Sequence, residues 1–189
     1  METNRKLIGF FACGKRWGKT TAANKMKEEL EAKGHKVIIL SFAGVLREVC
    51  TDILGAFGVS PALAARLLTD DKDTREMGLS PYLGVSPEKL VSPRTGFLEP
   101  VGQTVRERID PDAWVKALER RIDLLPDEID TVIIDDVRKV NEAYFIRSNA
   151  GELVFIERKD LWDTHDRNHS DAVEAKKIMR VFNFSVWRS

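Results

Sequence analysis

Leu7-Ile8-Gly9-Phe10-Phe11-Ala12-Cys13-Gly14-Lys15-Arg16-Trp17-Gly18-Lys19-Thr20-Thr21 decides how this chain is read. Its first seven residues are continuously apolar, the pattern of a strand covered on both faces. Glycines 14 and 18 then interrupt the run. From Thr20 to Lys33 the periodicity turns helical, with Ala23, Met26 and Leu30 on one face and Gly34 as a stop. Lys36 to Phe42 is a second apolar run. The first 42 residues therefore read as strand, glycine loop, helix, strand.

A glycine loop between a buried strand and an amphipathic helix is the context of a phosphate-binding loop. Glycines let backbone N–H groups turn inward onto phosphate oxygens, and the helix N-terminus adds its positive dipole. Gly14, Lys15, Arg16, Trp17, Gly18, Lys19, Thr20 and Thr21 are the candidate ATP-binding residues. Lys19 is placed to reach the β- and γ-phosphates, and the Thr20 hydroxyl to meet Mg²⁺. The usual pattern has glycine five residues before Gly18; Cys13 stands there, and Gly14 follows one place late. Cys13 reads as a small buried residue, and Trp17 either stacks on a base or packs.

Further along, Ala43 to Phe57 reads as a helix. Residues 58–100 are irregular and hold five of the seven prolines, Pro61, Pro81, Pro87, Pro93 and Pro100. They read as short helices and loops inserted over one face, the length and character of a lid or binding loop. Asp112 to Leu124 reads as a helix with Asp110 as cap and Pro111 in the first turn. Thr131-Val132-Ile133-Ile134-Asp135-Asp136 is a third strand ending in acid. Val140 to Ser148 reads as a helix, Glu152 to Arg158 as a strand, and Arg180 to Val186 as a last strand. Alternating strands and helices imply an α/β fold of three layers. Its mainly parallel sheet has about five strands and helices on both faces. The whole chain, 1–189, is expected to be one domain with a helical insertion over 43–125.

Composition narrows the function classes. The 189 residues include 30 Lys+Arg and 30 Asp+Glu, a formal net charge of zero. That balance argues against a protein that coats nucleic acid or membrane. No apolar run of about 18 residues occurs, so no membrane-spanning helix is expected. Met1-Glu2-Thr3-Asn4 lacks the layout of a secretory leader. The two cysteines, Cys13 and Cys50, have no metal-ligand or disulfide-framework spacing, which fits a reducing cytoplasm.

An acid that ends a buried strand beside a phosphate loop serves Mg²⁺ or a substrate hydroxyl. Asp135 and Asp136 are both candidates, and alternation allows only one of them to face a given site. Asp136-Val137-Arg138-Lys139-Val140-Asn141-Glu142-Ala143 resembles the D-V-R-F-P-N-E-A signature of the deoxynucleoside monophosphate kinases of tailed bacteriophages. Lys15-Arg16-Trp17-Gly18-Lys19 resembles that family's K-R-S-G-K loop, and Ser41-Phe42-Ala43-Gly44-Val45-Leu46-Arg47 its S-F-A-D-P-L-K segment. Arg106 followed by Pro111-Asp112-Ala113-Trp114-Val115 resembles its R-x-x-x-x-P-D-x-W-V segment, and Gly151 to Arg158 its strand ending in Arg. Here Lys139-Val140 replaces Phe-Pro of the signature, and Leu98-Glu99 stands where Leu-Gln precedes the glycine.

The resemblance implies a P-loop nucleoside monophosphate kinase, with ATP as co-substrate and Mg²⁺ as cofactor. It implies catalytic roles for Lys19, Arg106, Arg138 and Asp136. Arg47, Arg106, Trp114, Asp136, Arg138 and Glu142 become acceptor-binding residues, and Thr20 with Asp135 the metal pair. It also implies homodimers, and neither membrane association nor stable nucleic-acid binding. Lys15, Arg16, Lys19, Arg47, Arg94, Arg106, Arg108 and Arg138 would supply the cationic charge that two phosphate clusters need, Arg being suited to bidentate contact. The run Asp70 to Glu76 reads as a solvated helix face, and the pair His165 and His169 as surface. His169-Ser170-Asp171 resembles a family segment that approaches the nucleotide. Other acceptors on this fold are a base hydroxyl in DNA or dephospho-coenzyme A. A guanine-nucleotide switch would show Asn-Lys-x-Asp, and Asn24-Lys25-Met26-Lys27 lacks the Asp.

Overall fold

Phe10 and Phe11 are adjacent in sequence, and both are fully buried. Neighbouring side chains on a strand point to opposite faces, so this strand is covered above and below. The computed structural model describes residues 5–14, 17–69, 79–84, 93–158 and 170–188. Over these residues the chain forms two compact units, Met1–Phe42 with Val115–Ser189, and Ala43–Trp114.

The first unit is an α/β layer structure. Its strands are β1 (Lys6–Phe11), β2 (Val37–Leu40), β3 (Thr131–Val137), β4 (Glu152–Glu157) and β5 (Ser185–Arg188). They form one five-stranded sheet in the order β2-β3-β1-β4-β5. Every pairing is parallel, with Ile8 opposite Ile133, Leu40 opposite Ile134 and Val154 opposite Ser185. Helix α1 (Lys19–Glu31) crosses from β1 to β2, and α7 (Val140–Ser148) from β3 to β4. These crossovers run in opposite directions along the sheet. Right-handed connections therefore put α1 and α7 on opposite faces. Helix α1 packs on β2 and β3, and α7 on β1 and β4. Helix α8 (Ser170–Val181) packs on α7 and buries Ala172, Ala175 and Ile178.

Two local features shape the sheet's C-terminal edge. A Cβ on Gly9 would collide with Ile146 Cδ1 of α7 and lie 3.0 Å from Val137 Cγ2, so the glycine makes room for the Ile146 side chain where α7 packs on β1. The β1–β3 register also shifts. Gly9 pairs with Ile134, but Phe11 pairs with Val137, so β3 carries one extra residue between. The extra residue falls at Asp135-Asp136. A bulge of this kind re-aims side chains where a strand ends.

The second unit is helical. It contains α2 (Phe42–Ala56, from Ala43 on), α3 (Pro61–Leu68), α4 (Ser80–Leu83) and a π-helical turn over Pro93–Leu98 that runs into α5 (Glu99–Arg108). Helix α6 (Ala113–Asp123) begins at its end. Leu46, Cys50 and Leu54 recur every four residues on α2 and are all buried. They pack with Leu67, Leu68, Leu79, Leu98 and Trp114. Ser60 caps α3 by accepting from Leu63 N at 3.4 Å, with Pro61 at the first helical position.

Two segments differ from the sequence expectation. The last strand is Ser185–Arg188, and Arg180 and Val181 close α8 instead. Alternating apolar residues in Phe182-Asn183-Phe184-Ser185-Val186 imitate a strand from further upstream, but Val181 continues the helix and is 63 % exposed. Helix α5 starts at the very end of the irregular stretch 58–100 and runs on past it, and Pro100 and Gly102 mask it in the sequence. Pro100 sits in its first turn, where a missing N–H costs nothing. No helix among the described residues is long and apolar enough to cross a membrane.

Candidate functional site

In an open parallel sheet, ligands bind at the C-terminal ends of strands where neighbouring connections diverge. Here that point lies between β1, whose chain leaves toward β2, and β3, whose chain leaves toward β4. Both candidate motifs of the first unit sit there.

The turn after β1 is built around Gly18. Its φ of +85° and ψ of 16° are left-handed, a region that suits glycine, and its carbonyl accepts the first α1 bond from Ala22 N at 2.8 Å. Lys19 then curls back, and its Nζ donates to Gly14 O at 3.2 Å across the loop. Thr21 is exposed in the first turn of α1, and Gly14 is buried. Lys15 and Arg16 lie outside the described residues. Cys13 is buried and burial pushes its thiol pKa up, so it is a neutral packing residue. Trp17 resolves to packing: it is 2 % exposed, with its ring centroid 6.4 Å from that of Phe155. Its side chain is therefore not presented to a base; its backbone remains part of the loop.

The two acids at the bulge face different partners. Asp135 Oδ2 accepts from Thr20 Oγ1 at 2.8 Å, which joins the end of β3 to the start of α1. Asp136 Oδ1 accepts from Phe42 N at 2.8 Å, the first N–H of α2. A helix N-terminus has free N–H groups, and a carboxylate there is favoured. Asp136 is thus a capping group, and no hydroxyl acceptor is needed to explain it.

Arg138 follows β3 directly and is half-buried. Glu142 holds it there. Glu142 is 3 % exposed, and its Oε2 accepts from Arg138 N at 2.8 Å and from Lys139 N at 3.0 Å. Through Oε2 the carboxylate fastens the backbone that carries Arg138 and caps α7.

Electrostatics ties these residues together. Burial lowers the Lys19 pKa most, and the nearby Arg138 cation lowers it further. The charges of Asp171, Asp136 and Asp135 oppose that shift. A bound polyanion would favour the same charged lysine. Asp171, in the first turn of α8, belongs to this set. The sequence held only a weak signal for it, the His169-Ser170-Asp171 resemblance; His165, Asp166 and His169 lie outside the described residues. The arrangement can cradle a chain of phosphates, with Lys19 and Arg138 as cations. Thr20 and Asp135 offer hard oxygen donors of the kind Mg²⁺ takes when substrate phosphates complete its shell. Among the described residues no group of three or more His, Cys, Asp or Glu is placed to hold a metal ion.

The remaining candidates belong to the second unit. Arg47 lies on α2, and its Nε is sealed from solvent without a hydrogen-bond partner among the described residues. Arg106 is half-buried on α5, and Arg108 is exposed. Trp114 lies in the packed interior of this unit. It is 5 % exposed inside the unit's core, and its Nε1 donates to Gly102 O at 3.0 Å. Its ring is packed and its indole N–H is satisfied. A Cβ on Gly102 would lie 2.8 Å from Leu46 Cδ2, so the glycine admits the contact between α5 and α2. The Arg94 side chain and the run Asp70 to Glu76 lie outside the described residues.

No protein-family model matches the chain, and no curated protein matches it in sequence.

Proposed function

We propose that this chain is a phosphotransferase that moves the γ-phosphoryl group of ATP to a deoxynucleoside 5′-monophosphate, giving the diphosphate. One observation carries the reading. The Thr20–Asp135 hydrogen bond, with Lys19 beside it and Arg138 sensed by its charge, gathers the parts of a phosphoryl-transfer site at one point of a parallel sheet. The deoxynucleotide acceptor comes from the resemblance around Asp136 to Ala143.

Phosphoryl transfer asks the protein mainly for in-line placement and for neutralised charge. The backbone N–H groups around Gly18 and the α1 N-terminus hold the donor phosphates. Lys19 leaves Gly14 O to meet the β- and γ-oxygens. The hydrogen bond between Thr20 and Asp135 supports the reading that their two oxygens would hold Mg²⁺. When bound, that ion supplies positive charge to the β- and γ-phosphate oxygens. Arg138, fixed by Glu142, offers bidentate donors to the acceptor phosphate or to the moving group. A monophosphate is ionised near neutral pH and needs no strong base. A hydroxyl acceptor would need one, and Asp136 is engaged with Phe42 N. That favours a phosphate acceptor over DNA or dephospho-coenzyme A. Cys13 and Cys50 are both free and buried, which suits a reducing cytoplasm.

The test is incubation with Mg·ATP and, separately, each deoxy- and ribonucleoside monophosphate, with chromatography of the products. Diphosphate from at least one deoxynucleotide is expected. No diphosphate from any monophosphate would overturn the assignment.

A further inference from the structure

A loop that binds phosphates with its backbone must keep N–H groups turned toward the ligand, so those groups cannot also tie the loop to the protein. Something else has to hold its shape. Among the described residues of the loop after β1, left-handed backbone falls at Gly18 alone. The Cys13 backbone lies outside that region, so its position does not require glycine. The loop's large side chain is Trp17, one residue before Gly18, and it is 2 % exposed.

Trp17 sits on a platform of phenylalanines. Its ring centroid is 6.4 Å from that of Phe155 on β4, with the planes tilted by 53°. Phe155 is the register partner of Phe11 on β1, and their rings are 5.3 Å apart. Phe184, between α8 and β5, closes the group: it lies 6.0 Å from Phe155 and meets Phe11 edge-on at 5.6 Å and 88°. Separations of about 4.5–7 Å in tilted or edge-on geometry are those at which aromatic rings attract. Three residues on, Trp187 of β5 serves the other face of the sheet. Its ring lies 6.5 Å from that of Phe10, and Lys25 Nζ of α1 stands 5.8 Å over it. The segment Phe184–Trp187 therefore supports both the loop, through Trp17, and the helix into which the loop opens.

We infer that Trp17 is a positioning residue for the donor phosphates: anchored on Phe11, Phe155 and Phe184, it fixes the backbone that leads into Gly18 and Lys19 without touching the nucleotide. Phe184 acts on ATP binding through that ring. The inference deepens the phosphotransferase reading and rests on it for calling the ligand ATP; the anchoring of the loop does not.

The test compares wild type, Trp17→Ala, Trp17→Phe and Phe184→Leu as full chains, with melting temperatures recorded. Calorimetry reads the binding of Mg·ATP and of Mg·tripolyphosphate. Trypsin with mass spectrometry reads the rate of cleavage after Lys15 and Arg16, which stand in the loop. For Trp17→Ala we expect Mg·ATP to bind at least tenfold more weakly, tripolyphosphate to weaken by the same factor, and loop cleavage to be at least tenfold faster. Trp17→Phe should recover most of each, and Phe184→Leu should show a smaller loss in the same direction. In turnover, KM for Mg·ATP should rise while KM for the monophosphate holds. Unchanged loop cleavage in Trp17→Ala overturns the inference. So does a loss of ATP affinity that spares tripolyphosphate, since the ring would then be a base contact. If Trp17→Ala fails to fold, Phe184→Leu decides, and its identity with wild type in binding and cleavage overturns the inference. Wild type that binds neither ATP nor tripolyphosphate would break the phosphotransferase reading, and loop cleavage would still score the anchor.

Discussion

The two units treat their polar residues differently. In the sheet unit the site residues are fastened to one another or to backbone: Thr20 to Asp135, Asp136 to Phe42 N, Glu142 to Arg138 N. In the helical unit one candidate, Trp114, is consumed by the core, and Arg47 keeps a buried Nε unpaired. Strand ends in a parallel sheet fix the direction of the residues that follow them, so a motif there carries geometry with it. On a short helix the same residue serves packing or a ligand according to what lies opposite.

The largest effect that sharpens this contrast is at Trp114. Trp114→Ala should cost about 3–5 kcal/mol, as for large core truncations, read by chemical denaturation. A loss of activity without loss of stability would return Trp114 to the acceptor site and break the contrast. Glu142→Ala comes next. It strips two backbone N–H groups of a buried charged acceptor, at about 2–3 kcal/mol, and frees the backbone under Arg138. Stability should fall and KM for the monophosphate should rise; Glu142→Gln, which keeps an acceptor, should restore most of both. If Glu142→Gln were as impaired as Glu142→Ala in KM alone, the carboxylate would be touching substrate.

The smallest effect lies at the far end of the sheet. Asp130 accepts from Thr131 Oγ1 at 2.7 Å and Lys36 N at 3.1 Å. Those bonds, the Thr131 hydroxyl first, hold its pKa below the ordinary 3.8. A depressed carboxylate stabilises the fold above its unfolded pKa and loses that contribution as pH falls through the folded value. The melting-temperature gap between wild type and Asp130→Asn should therefore be small near neutrality and close below pH 3.8. A gap that widens in acid would contradict the arrangement.

Much of the sheet unit was legible in the sequence. The runs at Leu7, Lys36, Thr131 and Glu152 are apolar because both faces are covered, and each became a strand. Alternation also said that Asp135 and Asp136 could not share a site; the bulge that separates their partners leaves no sequence mark. Glu142 was missed as a cap because Lys139 stands at the N-cap position, where Ser or Thr would have signalled a capping box. Helix α5 was hidden by Pro100 and Gly102, each tolerated for a local reason, a first-turn position and a close contact with Leu46. Trp17 and Trp114 show the limit most plainly. Nothing in a neighbouring sequence distinguishes an aromatic ring that stacks on a ligand from one that closes a core.

The central claim is that the Gly18 turn with Lys19 holds the phosphates of ATP. Calorimetric titration of Mg·ATP into wild type and Lys19→Ala tests it most directly, with the melting temperature of each protein as control. The account predicts saturable binding to wild type, binding at least tenfold weaker to Lys19→Ala, and no loss of melting temperature in the variant. Equal affinity in the two proteins, or no binding to wild type, would contradict it.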